Sequence, residues 1–207
     1  CSVVDDAHKA DRLFSKGVVG LVTNKSKQLM QSGEEFTHKI SDAGGTSVEV
    51  EKVIHVTTEK EIRDAVSEAR KKKLPVTIAG RRHSMGGQAL LNHSIQLDML
   101  RFNKVAYHPD TKTVTAQAGA TWKKIQEVLS PVGRSVSVMQ SDNIFTVGGS
   151  VSVDVHGWQV GSPPLSSTIV SMNVITGDGV KRRISLNKSP ELFKAVIGGY
   201  GQLGVIT

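Results

Sequence analysis

The residues best placed to do chemistry begin with His83, in Gly80-Arg81-Arg82-His83-Ser84-Met85-Gly86-Gly87, directly after the apolar run Leu74–Ala79. A strand followed by a glycine-rich turn often presents backbone N–H groups to an anion, and the glycines permit close backbone approach. A histidine there contacts or bonds whatever the loop holds, or is simply a solvated loop residue; these eight residues leave both open. A second constellation is Thr146-Val147-Gly148-Gly149-Ser150. Its paired glycines lay backbone against a flat or anionic ligand at a helix start with free N–H groups, or else they allow tight helix packing. The third is Asp154-Val155-His156-Gly157-Trp158, where His156 either acts on a reacting group or satisfies nearby backbone.

Other chemistries fit less well. Gly199-x-Gly201-x-x-Gly204 spells the dinucleotide fingerprint, but that motif must leave a strand and open a helix, whereas here it leaves a helix and enters a strand. A nicotinamide Rossmann site is thereby rejected. The seven histidines include no pair at ligand spacing within one element, so no metal site is expected. No G-x-S-x-G elbow occurs, and Ser84 beside His83 makes a poor nucleophile pair because adjacent side chains rarely face each other. Net charge is +7, yet the basic residues are scattered and aromatics amount to 4%, too few for a base-stacking platform. No nucleic-acid partner is expected.

Secondary-structure signals indicate what positions these groups. Val53–Val56 reads as a strand, and Thr58-x-x-Glu61 is a capping box before Ile62, Ala65, Val66 and Ala69 at helical spacing. Pro75 opens the next strand, so residues 53–79 form a βαβ unit whose exit is the His83 loop. Ile95–Leu97, Val105–Tyr107 and Thr113–Ala118 read as strands, and a helix follows with Trp122, Ile125, Val128 and Leu129 on one face. Ile169–Thr176 and Val180–Ile184 flank Gly177-Asp178-Gly179 as a hairpin. Ser189-Pro190 reads as cap and first turn of a helix ending at Ile197, before the final strand Val205–Thr207.

The order of these pieces resembles the FAD-binding (PCMH-type) domain of the vanillyl-alcohol oxidase/p-cresol methylhydroxylase superfamily over about residues 50–207. The V-G-G-S-V-S-V-D-V-H-G stretch is similar to decaprenylphosphoryl-ribose oxidase and to sugar and aldonolactone oxidases. The His83 loop is similar to the G-G-H-S loop of berberine-bridge-type enzymes. The resemblance implies FAD as cofactor, with Gly80, Arg81, Arg82, His83, Ser84, Met85, Gly86 and Gly87 around its pyrophosphate. In covalent members the histidine at the His83 position bonds the flavin 8α-methyl. Gly148, Gly149 and Ser150 would pass along the flavin, with Thr146 and Asp142 nearby. His156, the catalytic candidate, and Gly157 would reach the flavin edge, while Gly199, Gly204, Val205 and Ile206 would complete the adenosine side. Arg81-Arg82 departs from the small residues of many relatives: the arginines either add phosphate contacts or displace the loop.

The expected fold is α+β: a lead-in segment at 1–47, then an FAD-binding domain at 48–207. That domain divides into a small parallel βαβ subdomain (about 48–108) and a larger antiparallel one with helices (109–207). Implied function is FAD-dependent oxidation of an alcohol carbon on a small sugar, alditol or lactone-like substrate, with hydride passing to the flavin and oxygen or a quinone as electron acceptor. The alternative is a non-catalytic FAD-binding module or scaffold that needs a partner chain. Family members continue into a substrate domain that usually carries the base, so this chain reads as a fragment or half of a split enzyme, inactive alone. Cys1, the single cysteine, excludes an internal disulfide. It is either the lipid-bearing end of a mature bacterial envelope lipoprotein or a cloning boundary, in which case the cytoplasm is expected.

Overall fold

Helix α1 (Glu59–Lys72) forms where the capping box places it. Thr58 accepts from the Glu61 N–H, and the Glu61 carboxylate reaches back to the N–H groups of Thr57 and Thr58 at 2.7 and 2.8 Å. Ile62, Ala65, Val66 and Ala69 are buried, and Lys73 ends the helix in the left-handed conformation. The computed structural model describes residues 38–158 and 160–207. Cys1, the apolar cluster at 18–22 and most of the expected lead-in lie outside the described residues.

Those hydrogen bonds lower the Glu61 pKa to about 2, backbone N–H donation from Thr57 being the largest cause. A depressed carboxylate pKa adds stability above the unfolded value, and that stability is lost as pH falls through the folded one. The thermal midpoint of wild type should therefore exceed that of Glu61→Ala above about pH 5. The gap should close between there and about pH 2, as melting curves across that range will show.

The helix crosses between two strands of a parallel sheet, β3 (Lys52–His55) and β4 (Val76–Ala79), that are not neighbours. Strand β5 (Ile95–Asp98) inserts between them in the order β3-β5-β4, pairing Val53 with Gln96 and Thr77 with Gln96 on its two edges. All four β5 residues are buried, including polar Gln96 and Asp98. Its Ile95 and Leu97 pack with Val56, Ile62 and Leu74, and also with Ile175 and Val205 from the antiparallel part. One core therefore spans the parallel sheet and part of the antiparallel region. Ahead of β3, strands β1 (His38–Ser41) and β2 (Ser47–Val50) form a hairpin. The Asp42 carboxylate ties its turn together by accepting from Gly44 and Thr46. The boundary expected at 47/48 thus falls inside a hairpin, whose short polar strands carry little periodic signal.

β6 (Val105–His108) and β7 (Thr113–Ala116) form a second hairpin. Helix α2 (Trp122–Leu129) buries Trp122, Ile125 and Leu129 against Val138, Val151 and Leu165, with Val128 half-buried. Helix α3 (Val147–Ser152) is short. β8 (Met172–Ile175) pairs with β9 (Lys181–Ile184) and with β10 (Val205–Ile206), all antiparallel. Helix α4 (Pro190–Val196) buries Phe193 and Val196 against Val174 and Ile184. Ser189 does not cap it as expected. Its φ is +60° and its side chain makes no cap bond, whereas a capping side chain needs extended backbone at that position.

Candidate functional site: a glycine-lined cleft between the two sheets

Two segments far apart in sequence meet at Gly80, whose missing side chain lets Thr146 sit directly against its backbone. A cleft of about 290 Å³ opens there, near the lower bound of roughly 300 Å³ for small-molecule sites. Gly80, Arg81, Arg82, His83 and Ser84 line one side, and Thr146, Gly148, Gly149 and Ser150 the other. Ile78, Ala118 and Ile206 give apolar surface, and Gly204 also lines the cleft.

The remaining expected residues stand off the wall, each for a local reason. Met85 is exposed, Gly86 donates to Gln88 Oε1 at 3.0 Å, and Gly87 donates to Asp42 Oδ2 at 2.9 Å, so the loop turns toward the β1–β2 hairpin. Asp142 accepts from the Ile144 N–H. Gly199 lies in the turn after α4, donating to Val196 O, and Val205 is buried in its pairing with Ile175. His156 is exposed with Nδ1 at 3.1 Å from Gly157 O, and neither residue lines the cleft.

The polar inventory separates the two glycine segments. N–H groups at the start of α3 are not free, which leaves tight packing of the two readings the sequence kept open. Val147 donates to Ala120 O and Gly148 to Ala118 O, both at 2.8 Å, while Gly149 donates to Thr146 Oγ1. Gly148 is there for packing, since a Cβ would stand 2.7 Å from Ala118 Cβ. Ser150 is also used up internally: its hydroxyl accepts from Trp122 Nε1 at 2.9 Å and lies against Gln140 Oε1 and Thr146 O. The loop after β4 is the opposite case. The N–H groups of Arg81, Arg82, His83, Ser84 and Met85 meet no acceptor among the described residues. Amides without an internal partner are open to an anion or to water, and residues 81–84 carry theirs at the cleft wall.

Arg82 does not extend as a free phosphate ligand. Its guanidinium donates to Gln96 Oε1 at 2.8 and 3.1 Å and to Asp98 Oδ2 at 3.1 Å. His83 stands at the wall with its ring edge-on to Phe145, centroids 5.2 Å apart, and with Nδ1 3.0 Å from Arg81 O. Sequence reasoning missed Phe145, Gln140, Tyr200 and Gly201, all of which line the cleft. Gly201 was visible as the middle glycine of the rejected fingerprint; the other three carry no motif of their own.

A family profile described as FAD binding domain matches residues 50–185. The chain is similar to cytokinin dehydrogenase 2 of Arabidopsis thaliana, 34% identical over 66% of this chain and 28% of that protein. It is similar to an uncharacterized oxidoreductase of the fasciation locus of Rhodococcoides fascians, 31% identical over 74% of this chain and 35% of that protein. With the mitochondrial L-galactono-1,4-lactone dehydrogenase of Arabidopsis thaliana it shares 27% identity over 83% of this chain and 28% of that protein. The chain belongs to the FAD-binding (PCMH-type) family of flavoprotein oxidoreductases, and its cofactor is FAD. It spans about a third or less of the length of most of these relatives.

The described residues fit that cofactor. The amide run at 81–85 suits a pyrophosphate, Arg81 is an exposed cation beside it, and Ile78, Ala118 and Ile206 offer apolar contact to a ring.

Proposed function

We propose that the chain is the FAD-holding part of an oxidoreductase acting on an alcohol carbon of a sugar, alditol or lactone-like substrate, with oxygen or a quinone as acceptor. The observation that carries the cofactor placement is the run of five unpartnered amides at the mouth of a strand. Similarity to a lactone dehydrogenase over most of the chain supports the substrate class. Bound FAD supplies the electron-accepting ring; this chain's residues seat and orient it. Residues 81–85 hold the pyrophosphate. Thr146 and Gly149 border the ring, and His83 meets its benzenoid edge. His156 acts only from the substrate side, since it is exposed and off the cleft wall. The rest of the protein, or a partner chain, completes the substrate wall.

The test is a flavin titration combined with turnover on a panel of sugars, alditols, aldonolactones and a cytokinin, using the full-length protein. FAD should bind at least about tenfold more tightly than FMN, because the adenosine half adds contacts. An aldonolactone or alditol should be the best substrate. His156→Ala should leave flavin content unchanged and stability within about 0.5 kcal/mol of wild type while lowering turnover. Flavin binding without turnover on any panel member would reassign the protein as a scaffold, and preference for the cytokinin would overturn the substrate class.

A further inference from the structure

Arg82 is strained and latched at once. Its φ is +54°, the left-handed region that side chains with a Cβ rarely occupy. A backbone outlier of this kind persists only where its surroundings over-determine it, and here the surroundings are explicit. Nε and Nη2 both donate to Gln96 Oε1, and Nη2 also donates to Asp98 Oδ2. Gln96 is fully buried, and its Nε2 donates to Ala89 O at 2.9 Å, at the far end of the same loop. The Asp98 side chain is 8% exposed, with Oδ1 accepting from Leu100 N–H at 3.1 Å. His55 Nδ1 lies 3.6 Å from Asp98 Oδ2 on the outer side. The Arg82 carbonyl accepts from Ala43 N–H at 2.9 Å, tying the residue to the β1–β2 hairpin as well. Both ends of the loop, at 82 and at 89, are thus stapled to β5.

We propose that Arg82 is a positioning residue for FAD. The Arg82–Gln96–Asp98 latch holds the amides of residues 81–85 in the arrangement that receives a diphosphate, and Arg82 acts through the backbone rather than by touching phosphate. The proposal rests on the reading of residues 81–85 as the pyrophosphate seat. Its physical basis is that Asp98 already neutralises the guanidinium. A phosphate beside a paired cation gains little from it, whereas unpaired amides in a loop already held in place cost little reorganisation when the anion arrives.

Equilibrium titration of the full-length protein with FAD and with riboflavin tests this, in a His83→Ala background that removes any covalent tether. Arg82→Met and Asp98→Asn should each weaken FAD binding about tenfold or more, and the double variant should be no weaker than the worse single one. Riboflavin, which has no phosphate, should shift by less than about threefold. Arg82→Lys, which keeps the charge but not the fork, should restore only part of the loss. If Asp98→Asn fails to fold, Asp98→Glu carries the same expectation. FAD affinity unchanged or raised in the Asp98 variant would overturn the latch, because freeing the guanidinium would then help a direct phosphate contact. So would additive losses, or equal losses for both ligands. Wild-type affinity for riboflavin equal to that for FAD would instead overturn the seat, and the latch with it.

Discussion

His83→Ala should convert acid-stable flavin into fully released flavin. Protein purified with its cofactor and precipitated in acid should give a yellow, fluorescent pellet for wild type and a colourless one for the variant. The geometry explains the expectation. Nδ1 lies 3.0 Å from a backbone carbonyl, which only accepts, so Nδ1–H donates there. That leaves Nε2 as the atom that would bond the flavin 8α carbon. Phe145 holds the ring edge-on at the cleft wall. His83 is exposed and its polar contact is local, so the variant should fold normally. Wild-type flavin recovered entirely in the supernatant would leave His83 as a non-covalent wall residue.

The second large effect separates two adjacent glycines. Gly148→Ala places a Cβ 2.7 Å from Ala118 Cβ and 2.9 Å from Ala118 O, and the second of these is backbone that cannot swing aside. Overpacking of this kind costs about 1–3 kcal/mol, so the thermal midpoint should fall and flavin should be lost with it. Gly149→Ala meets only the Thr146 hydroxyl, at 3.1 Å, on the exposed face of α3. Alanine also favours the helix by about 1 kcal/mol over glycine. That variant should melt at or above wild type yet bind FAD about tenfold or more weakly, because its methyl enters the cleft. Thermal melts and flavin titration on the two variants decide it. A destabilised Gly149→Ala would assign both glycines to packing; unchanged FAD affinity would remove Gly149 from the site.

Local chemistry determined a good deal from the sequence by itself. The capping box and the i, i+3, i+4 spacing of Ile62, Ala65, Val66 and Ala69 made α1 legible, since a helix's start and buried face depend on residues within a few positions. The Gly177-Asp178-Gly179 turn was legible for the same reason: Asp178 accepts from the Val180 N–H two residues on, and its pKa is held well below the usual carboxylate range, chiefly by the Arg182 guanidinium. The His83 loop and the Gly148-Gly149 pair were visible as glycine clusters. Tertiary structure alone decided what each one is for. Insertion of β5 between β3 and β4 is a long-range pairing with no local signature, and it buries Gln96 and Asp98 where Arg82 can reach them. That contact pairs the Arg82 guanidinium within the chain, where the sequence left phosphate contact and loop displacement both open. Similarly, only the packing of α3 on Ala118 and Ala120 showed that its first N–H groups are already taken, leaving the free amides to the loop at 81–85. The distinction is physical: a motif specifies which backbone groups are able to bind, whereas neighbours brought from elsewhere in the chain determine which of them remain unpaired.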